Sequence, residues 1–387
     1  MACSKLGEKL FVIFLLCCSL FLCCNQKDQQ DIVIIGEKYF SIKKKHISNI
    51  FEIGHIENII KPEKTDESLF ASADRIRIDN EGNIFVLDRF SLQVLLRFDK
   101  EGTFLNKYGS HGQGPGEYQG IVDFDFDSTG NIYLLTVYKI IKYKKTGAFL
   151  EENKLNLLSG GIKIVGDALF VYVNRDRSTG FKNNSAIFVF NKGLKKIDEI
   201  GVYDQNLMKY LFLPRILLCG YNKDLYFLDF YDLSYWKYNT KDNTLTKFLF
   251  SNKNTRLENI WNKSNLTESD RTEIKLKLHR FNDILYFNNN LFLTETCRES
   301  DTHNFWLIDL ENHSIDKYSY FKLINSATES QDFITFDYIA GAYSNGLILV
   351  FDDNERFNKY RDQKKEFQNI EFNLMDNPLI ILLGIKN

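Results

Sequence analysis

A chain of 387 residues, with 49 Lys plus Arg against 51 Asp plus Glu, can hold two ordinary domains or one large all-β domain. Its formal charge of −2, without a basic run, leaves no electrostatic case for nucleic acid as a partner. Four prolines and no low-complexity linker give nowhere to divide it, and 33 Phe with 20 Tyr suit strands packed face to face.

Lys5 and Lys9 precede LFVIFLLCCSLFLCC, an apolar run from Leu10 to Cys24 broken by Ser19. A basic segment followed by an apolar one of this length reads as a secretory signal. It is short for a membrane span, which takes about 20 residues. The run stops at cysteine and turns abruptly polar, a pattern similar to lipoprotein signals, in which the cysteine after the cut is acylated. Residues 1–24 are therefore expected to be signal, with Cys24 as the lipidated residue, Cys23 as its competitor, and 25–30 as a tether. An ordinary signal or an uncleaved anchor is the alternative. Of seven cysteines, five fall in this leader, and Cys219 and Cys297 alone lie in the body. That is neither a disulfide framework nor a zinc spacing, and two buried free thiols are expected.

Two strands are read from Asp31 to Ile60, where the apolar alternation is imperfect. The stretch from Ala73 to Gly120 is far more regular. Arg75 to Asp79, Asn83 to Asp88, Gln93 to Asp99 and Thr103 to Tyr108 are short runs rich in β-formers. Asn80-Glu-Gly-Asn83 and Asp99-Lys-Glu-Gly102 between them are turn chemistry. Four strands joined by tight turns form an antiparallel meander, the unit of a β-propeller blade. A second copy follows at once, Asp123-Phe-Asp-Phe-Asp-Ser-Thr-Gly-Asn-Ile repeating Arg75-Ile-Arg-Ile-Asp-Asn-Glu-Gly-Asn-Ile.

These repeats resemble the NHL type, and more closely the six-bladed β-propeller lipoproteins of bacterial cell envelopes. The resemblance rests on Thr-Asp-Glu-Ser-Leu at 65–69, the first blade, the loop Gly112-Gln-Gly-Pro-Gly-Glu-Tyr118 and the closing Asn377-Pro-Leu-Ile-Ile-Leu-Leu. It implies an architecture and an export route but no reaction.

The strand–turn–strand unit recurs four more times in weaker form. Aligning Ile84, Ile132, Leu169, Leu225, Leu291 and Leu347 gives spacings of 48, 37, 56, 66 and 56, against about 40–50 residues for a blade. Six units predict an all-β, six-bladed propeller of four-stranded antiparallel blades over 31–387. A strand from one terminus is expected to close the ring in the blade built by the other. Insertions are placed near 252–280, where Thr267 begins a short helix, and near 354–368.

No catalytic constellation emerges. The six histidines include no H-E-x-x-H and no i, i+4 pair, and neither G-x-S-x-G nor S-x-x-K occurs. No catalytic residue, metal or cofactor is expected. Asp88, Asp229, Glu295 and Asp352 recur at the ends of second strands, which suits either calcium or, more economically, carboxylates accepting turn N–H groups. The glycine-rich loop lacks Gly-Lys-Ser/Thr and leads into a strand, so it is read as the connection from blade 1 to blade 2, with Tyr118 packed inward. Candidate binding residues are Arg75, Arg89, His111, Gly112, Gly114, Pro115, Gly116, Glu117 and Tyr118. The expected role is a lipid-anchored binding or interaction module for a small ligand or an envelope protein. A propeller enzyme of the lyase or lactonase type and an envelope scaffold are the alternatives.

Overall fold

The computed structural model describes residues 33–39, 41–47, 50–155, 158–174, 187–200, 216–229, 234–250, 267–270, 280–297, 302–321, 338–351, 357–358, 361, 365–373 and 376–385. The expected signal, Cys24 and the tether lie outside them.

Six sheets, each built on four antiparallel strands, form the six blades of a propeller. Blade 1 comprises Arg75–Ile78, Ile84–Asp88, Val94–Phe98 and Phe104–Lys107. Blade 2 comprises Ile121–Phe126, Ile132–Thr136, Lys139–Tyr143 and Phe149–Lys154. Blades 3, 4 and 5 begin with the inner strands Leu158–Val165, Ile216–Tyr221 and Arg280–Phe287. Their outer strands are Lys196–Ile200, Thr244–Leu249 and Ser314–Phe321. Blade 6 takes Tyr338–Tyr343, Gly346–Phe351 and Leu379–Ile385 from the end of the chain and Gly54–Ile60 from its beginning.

The six aligned positions all fall on second strands, and each is at most 1% exposed. Each of these strands carries an apolar run at that position, because both of its faces are covered there. In blade 1, Ile84 and Val86 pack towards blade 6 with Ile348 and Val350. Phe85 and Leu87 pack the other way, with Phe124 and Leu134 of blade 2. The turns are set by aspartates. Asp79 accepts from the N–H groups of Glu81 and Asn83 at 2.9 Å each. Asp99 repeats this with Glu101 and Thr103, and Asp127 with Thr129 and Asn131. A carboxylate satisfying two turn donors holds each hairpin without a contribution from the core.

The N-terminal segment departs from the expected two strands. It forms three: Val33–Tyr39, Ser41–His46 and Gly54–Ile60. The first lies parallel on the outer strand of blade 4 and the second parallel on that of blade 5, so those blades are five-stranded. The third closes the ring against Leu379–Ile385. The polar pair Glu37-Lys38 and the run Lys43-Lys44-Lys45 hid this arrangement, because they interrupt the apolar alternation that marks a strand.

Two stretches named separately in the sequence meet at the seam of the ring. The Asn377 amide donates to the carbonyls of Glu63 and Ser68 at 2.9 and 3.1 Å and accepts from the N–H of Phe70 at 3.1 Å. Within the Thr65–Leu69 motif, the Thr65 and Ser68 hydroxyls each accept from the other residue's N–H. Of the insertion near 252–280, residues 267–270 are described, and Thr267 caps its turn by accepting from the N–H of Asp270 at 3.1 Å. In the segment near 354–368, Phe357 and Phe367 are buried, edge to face at 5.4 Å, against Phe351 of blade 6. Cys219 is a buried free thiol; the Cys297 side chain lies outside the described residues.

Candidate functional site

Antiparallel order divides the molecule into two faces. Connections between first and second strands, and between third and fourth, are tight turns on one face. Connections between second and third strands, and from each blade to the next, lie on the other. The loop face therefore carries the glycine-rich loop and the strand ends that both insertions join.

Charged side chains on the inner strands of blades 1, 2, 3 and 5 pair with one another beside the axis. Asp123 Oδ1 lies 3.3 Å from both Arg75 Nε and Arg77 Nη1. Asp125 lies 3.7 Å from Arg77 Nε and 3.0 Å from Lys163 Nζ of blade 3. Arg75 Nη1 also reaches Asp283 of blade 5 at 3.8 Å. The two aspartates further accept from the N–H groups of Ile162 and Ile164, tying blade 2 to blade 3. Blade 6 offers no side chain at Gly341, where a Cβ would stand 2.1 Å from the Ile76 carbonyl oxygen. The glycine lets two inner strands approach closely. Burial would lower the Arg75 pKa, but the carboxylates of Asp283 and Asp123 outweigh it and raise it. Burial would likewise raise that of Asp123, and Arg77, Arg75 and the N–H groups of Ile162 and Phe124 together lower it. Each charge stays ionised because its counter-charge is buried with it. This cluster ties the inner strands of blades 1, 2, 3 and 5 to one another beside the axis.

The glycine-rich loop is a compact connection. Ser110–His111 pairs in parallel with Glu117–Tyr118. Between them Gly112 N–H donates to the Tyr118 carbonyl at 2.9 Å, and Gly114 N–H to Glu117 Oε2 at 2.8 Å. Gly116 N–H donates to Glu152 Oε2 at 3.1 Å, and its carbonyl accepts from the Tyr143 hydroxyl at 2.6 Å. Its φ of 75° and a would-be Cβ 2.8 Å from the Phe149 ring both require glycine. Tyr118 packs inward with Phe85, Tyr108 and Phe124, and burial pushes its phenol up to about 12.

That loop forms one wall of a cleft of about 740 Å³ on the loop face of blade 2. Gly112, Gln113 and Pro115 line the wall, followed by Gln119 and Gly120. Opposite stand Thr136 to Lys139, with Glu152, Lys154 and Leu155 from the outer strand of the blade. Tyr138 is 61% exposed and presents its ring there. It is held by its backbone: its N–H donates to Thr136 Oγ1 at 3.4 Å and its carbonyl accepts from Leu155 N–H. Lys139 Nζ meets Glu152 Oε2 at 2.9 Å. Burial acts to raise the Glu152 pKa, but the bonds from Lys139 and from Gly116 N–H outweigh it and lower it.

Of the candidate residues, Gly112 and Pro115 line the cleft; Gly114, Gly116 and Glu117 shape its wall; and Tyr118 anchors that wall in the core. His111 is exposed at the root of the loop, its ring tilted 5.4 Å from that of Tyr118. Arg75 is not with them, being at the axis. Arg89 lies on the loop between the second and third strands of blade 1, its guanidinium 4.3 Å over the Phe90 ring and 3.4 Å from the Val122 carbonyl. Gln113, Gln119, Tyr138, Lys139, Glu152 and Lys154 complete the cleft and were missed. Their signal is spatial, since it needs the outer strand of blade 2 folded against the loop.

Of the recurring acids, Asp88 takes the reading of a carboxylate bound by turn N–H groups, whereas Glu295 is held by side chains of the neighbouring strands. Asp88 accepts from the N–H groups of Ala71, Ser72, Ser91 and Leu92. Glu295 Oε2 accepts from Asn304, Trp306 and Lys317 at 3.0, 2.6 and 3.0 Å. The Asp229 side chain and Asp352 lie outside the described residues.

Residues 41–383 match the model of a family described as a domain of unknown function, DUF4934. No curated protein matches the chain significantly. Among solved structures, a Bacteroides fragilis protein described as exported is similar at 19% identity. The match covers 91% of this chain and 100% of that one, with a TM-score of 0.66. A DUF4221-family member from Bacteroides vulgatus is similar at 9% identity over 86% of this chain and 98% of that one, with a TM-score of 0.52. At these identities the likeness is one of fold.

Proposed function

The chain belongs to the DUF4934 family, and on that footing we propose that it is an exported, lipid-anchored propeller that binds a polar ligand in the cleft beside its glycine-rich loop. The observation that carries this reading is the cleft itself. A wall fixed by backbone geometry stands opposite an exposed tyrosine ring, with amide side chains and a Lys139–Glu152 ion pair between them. Such a set fits a ligand that stacks one apolar face and hydrogen-bonds along its edge. Export and anchoring are supported by the basic and apolar leader that stops at Cys24. The description of the B. fragilis relative as exported agrees with that address.

The test is affinity capture from detergent-solubilised envelopes, run beside binding screens of short peptides and oligosaccharides on the mature protein. Tyr138→Ala and Gln113→Ala should each reduce binding of whatever the parent retains, at unchanged melting temperature. Arg89→Ala, outside the cleft, should not. Equal binding by the parent and both cleft variants would overturn the assignment of the site.

A further inference from the structure

Tyr39 and Ser41 lie at most about 7 Å apart along the chain, and they pair with Leu249 and Ser314. Leu249 ends the outer strand of blade 4, and Ser314 begins that of blade 5. The end of one outer strand therefore lies near the start of the next. Residues 33–46 run as a belt along both. The same succession joins blades 2 and 3, where the Asn153 amide donates to the Leu194 carbonyl.

The two edges under the belt differ from the other four. Among the described strands, none pairs with the outer side of blades 1, 2, 3 or 6. Each of those outer strands carries a β-bulge. In blade 1, Phe104 and Asn106 pair with Phe98 and Arg97, which leaves Leu105 as the extra residue. Leu150, Ile197 and Glu57 are extra in the same way in blades 2, 3 and 6. A bulge bends an edge and twists it away from a further strand. The outer strands of blades 4 and 5 instead pair inwards in unbroken register. Those two regular edges are the ones that the belt covers.

The belt in turn protects its own outer side. Its first strand is bulged between Ile34 and Glu37. Its second exposes Lys43, Lys44 and Lys45, and charge on an edge opposes further pairing. It is also matched to its hosts. Lys45 Nζ lies 2.7 Å from Asp316 Oδ2, and Glu37 is the register partner of Lys247. Each belt strand pairs along one side only. From Ile47 the chain is held differently, with Ile47, Ile50 and Ile53 buried beside Leu347 and Phe351 of blade 6. The part that can lift away from an intact ring thus ends at His46.

We propose that the outer edges of blades 4 and 5 form a strand-acceptor site, filled in cis by residues 33–46, whose partner in trans is the same segment of a second copy. A lifted belt exposes two regular edges, and an extended segment of another chain completes them by strand addition. The belt of a second copy carries the same lysine for Asp316, the same glutamate for Lys247 and the same bulge. Exchange in both directions leaves no edge open, and the two-fold arrangement closes as a strand-swapped dimer.

The experiment opens the rim in the full mature protein with Ile34→Pro and Lys44→Pro, since proline has no N–H to donate. A fluorescent peptide of residues 33–46 is then titrated against opened and parent proteins, read by anisotropy. The opened protein should bind many-fold more tightly than the parent, whose rim is filled. A Lys45→Glu peptide should bind it several-fold more weakly. Equal uptake by both proteins, or by neither, overturns the acceptor site. Ser41→Cys with Ser314→Cys keeps the belt and reads the partner separately. These positions face each other in register, so oxidation links them within a monomer or across an exchanged dimer. After incubation in mild denaturant and refolding, the linked dimer should increase with protein concentration and be absent from either single variant. Monomer at every concentration, or equal dimer in a single variant, overturns the second copy as partner and leaves the acceptor to the peptide result.

Discussion

Arg75 and Asp123 occupy the same position in successive blades, and their side chains meet at 3.3 Å beside the propeller axis. The repeat that identifies the fold also places opposite charges at equivalent points of neighbouring inner strands. Arg77 and Asp125, two residues on in each strand, do the same at 3.7 Å.

This pairing makes the ring sensitive to acid. The Asp123 pKa is held below its ordinary 3.8, so the folded state favours the ionised form. Its contribution is complete above the unfolded value and is lost as pH falls through the folded one. Asp123→Asn should cost about 3 kcal/mol at neutral pH by leaving two buried guanidinium groups short of a counter-charge. The parent's loss of stability below about pH 4 should be shallower in the variant. Thermal melts from pH 7 to pH 2 provide the check, and parallel curves would count against the pair.

At the seam, Asn377 is 0% exposed and serves two carbonyls and one N–H. Asn377→Ala would strand these three backbone groups, at about 1–3 kcal/mol for each one left buried without a partner. A drop of several degrees in Tm is expected, with earlier hydrogen exchange in 63–70 than in blades 2 and 3. Exchange unchanged at 63–70 would show that the amide does not hold that segment.

Ring closure gives a harsher prediction. Leu379–Ile385 lies between Gly346–Phe351 and Gly54–Ile60, so it is an interior strand. Deleting 377–387 removes it, leaves the N-terminal strand without its partner and opens a sheet edge. The truncated chain should aggregate on expression. A soluble monomer melting at the parental temperature would contradict the closure.

The glycine-rich loop separates two kinds of glycine. Gly116→Ala meets the Phe149 ring at a positive φ, and should cost about 1–3 kcal/mol. At Gly114 a Cβ would meet the Glu117 carboxylate at 3.1 Å, the mobile end of a side chain, so Gly114→Ala should cost less. Equal melting temperatures for the two would mean that the loop relaxes freely.

Blade number, turn positions and all six buried second-strand positions were legible in the sequence, because a doubly covered strand is continuously apolar and an Asp-led turn carries its own hydrogen bonds. The fifth strands on blades 4 and 5 were not. Val33–Tyr39 and Ser41–His46 are held at sheet edges by backbone pairing, and their lysines read as solvated chain. Half of the cleft was visible as Gly112-Gln-Gly-Pro-Gly-Glu-Tyr118. Tyr138, Lys139 and Glu152 were hidden because isolated polar residues at strand ends have no pattern until the outer strand of blade 2 brings them against the loop. Arg75 was named with the loop; the fold sets it in the ion pair with Asp123 that the alignment of the two blades already contained.

The claim on which the proposed cellular address depends is a lipid on Cys24 of an exported propeller. Two or three acyl chains would suffice for stable attachment, at about 0.8 kcal/mol per buried methylene. Intact-mass spectrometry of protein extracted from membranes tests it directly. The account predicts a mature chain beginning at Cys24 and heavier than its sequence by two or three acyl chains with their glycerol, and a Cys24→Ser variant lacking that mass. A mature N-terminus elsewhere, or an unmodified Cys24, would contradict it.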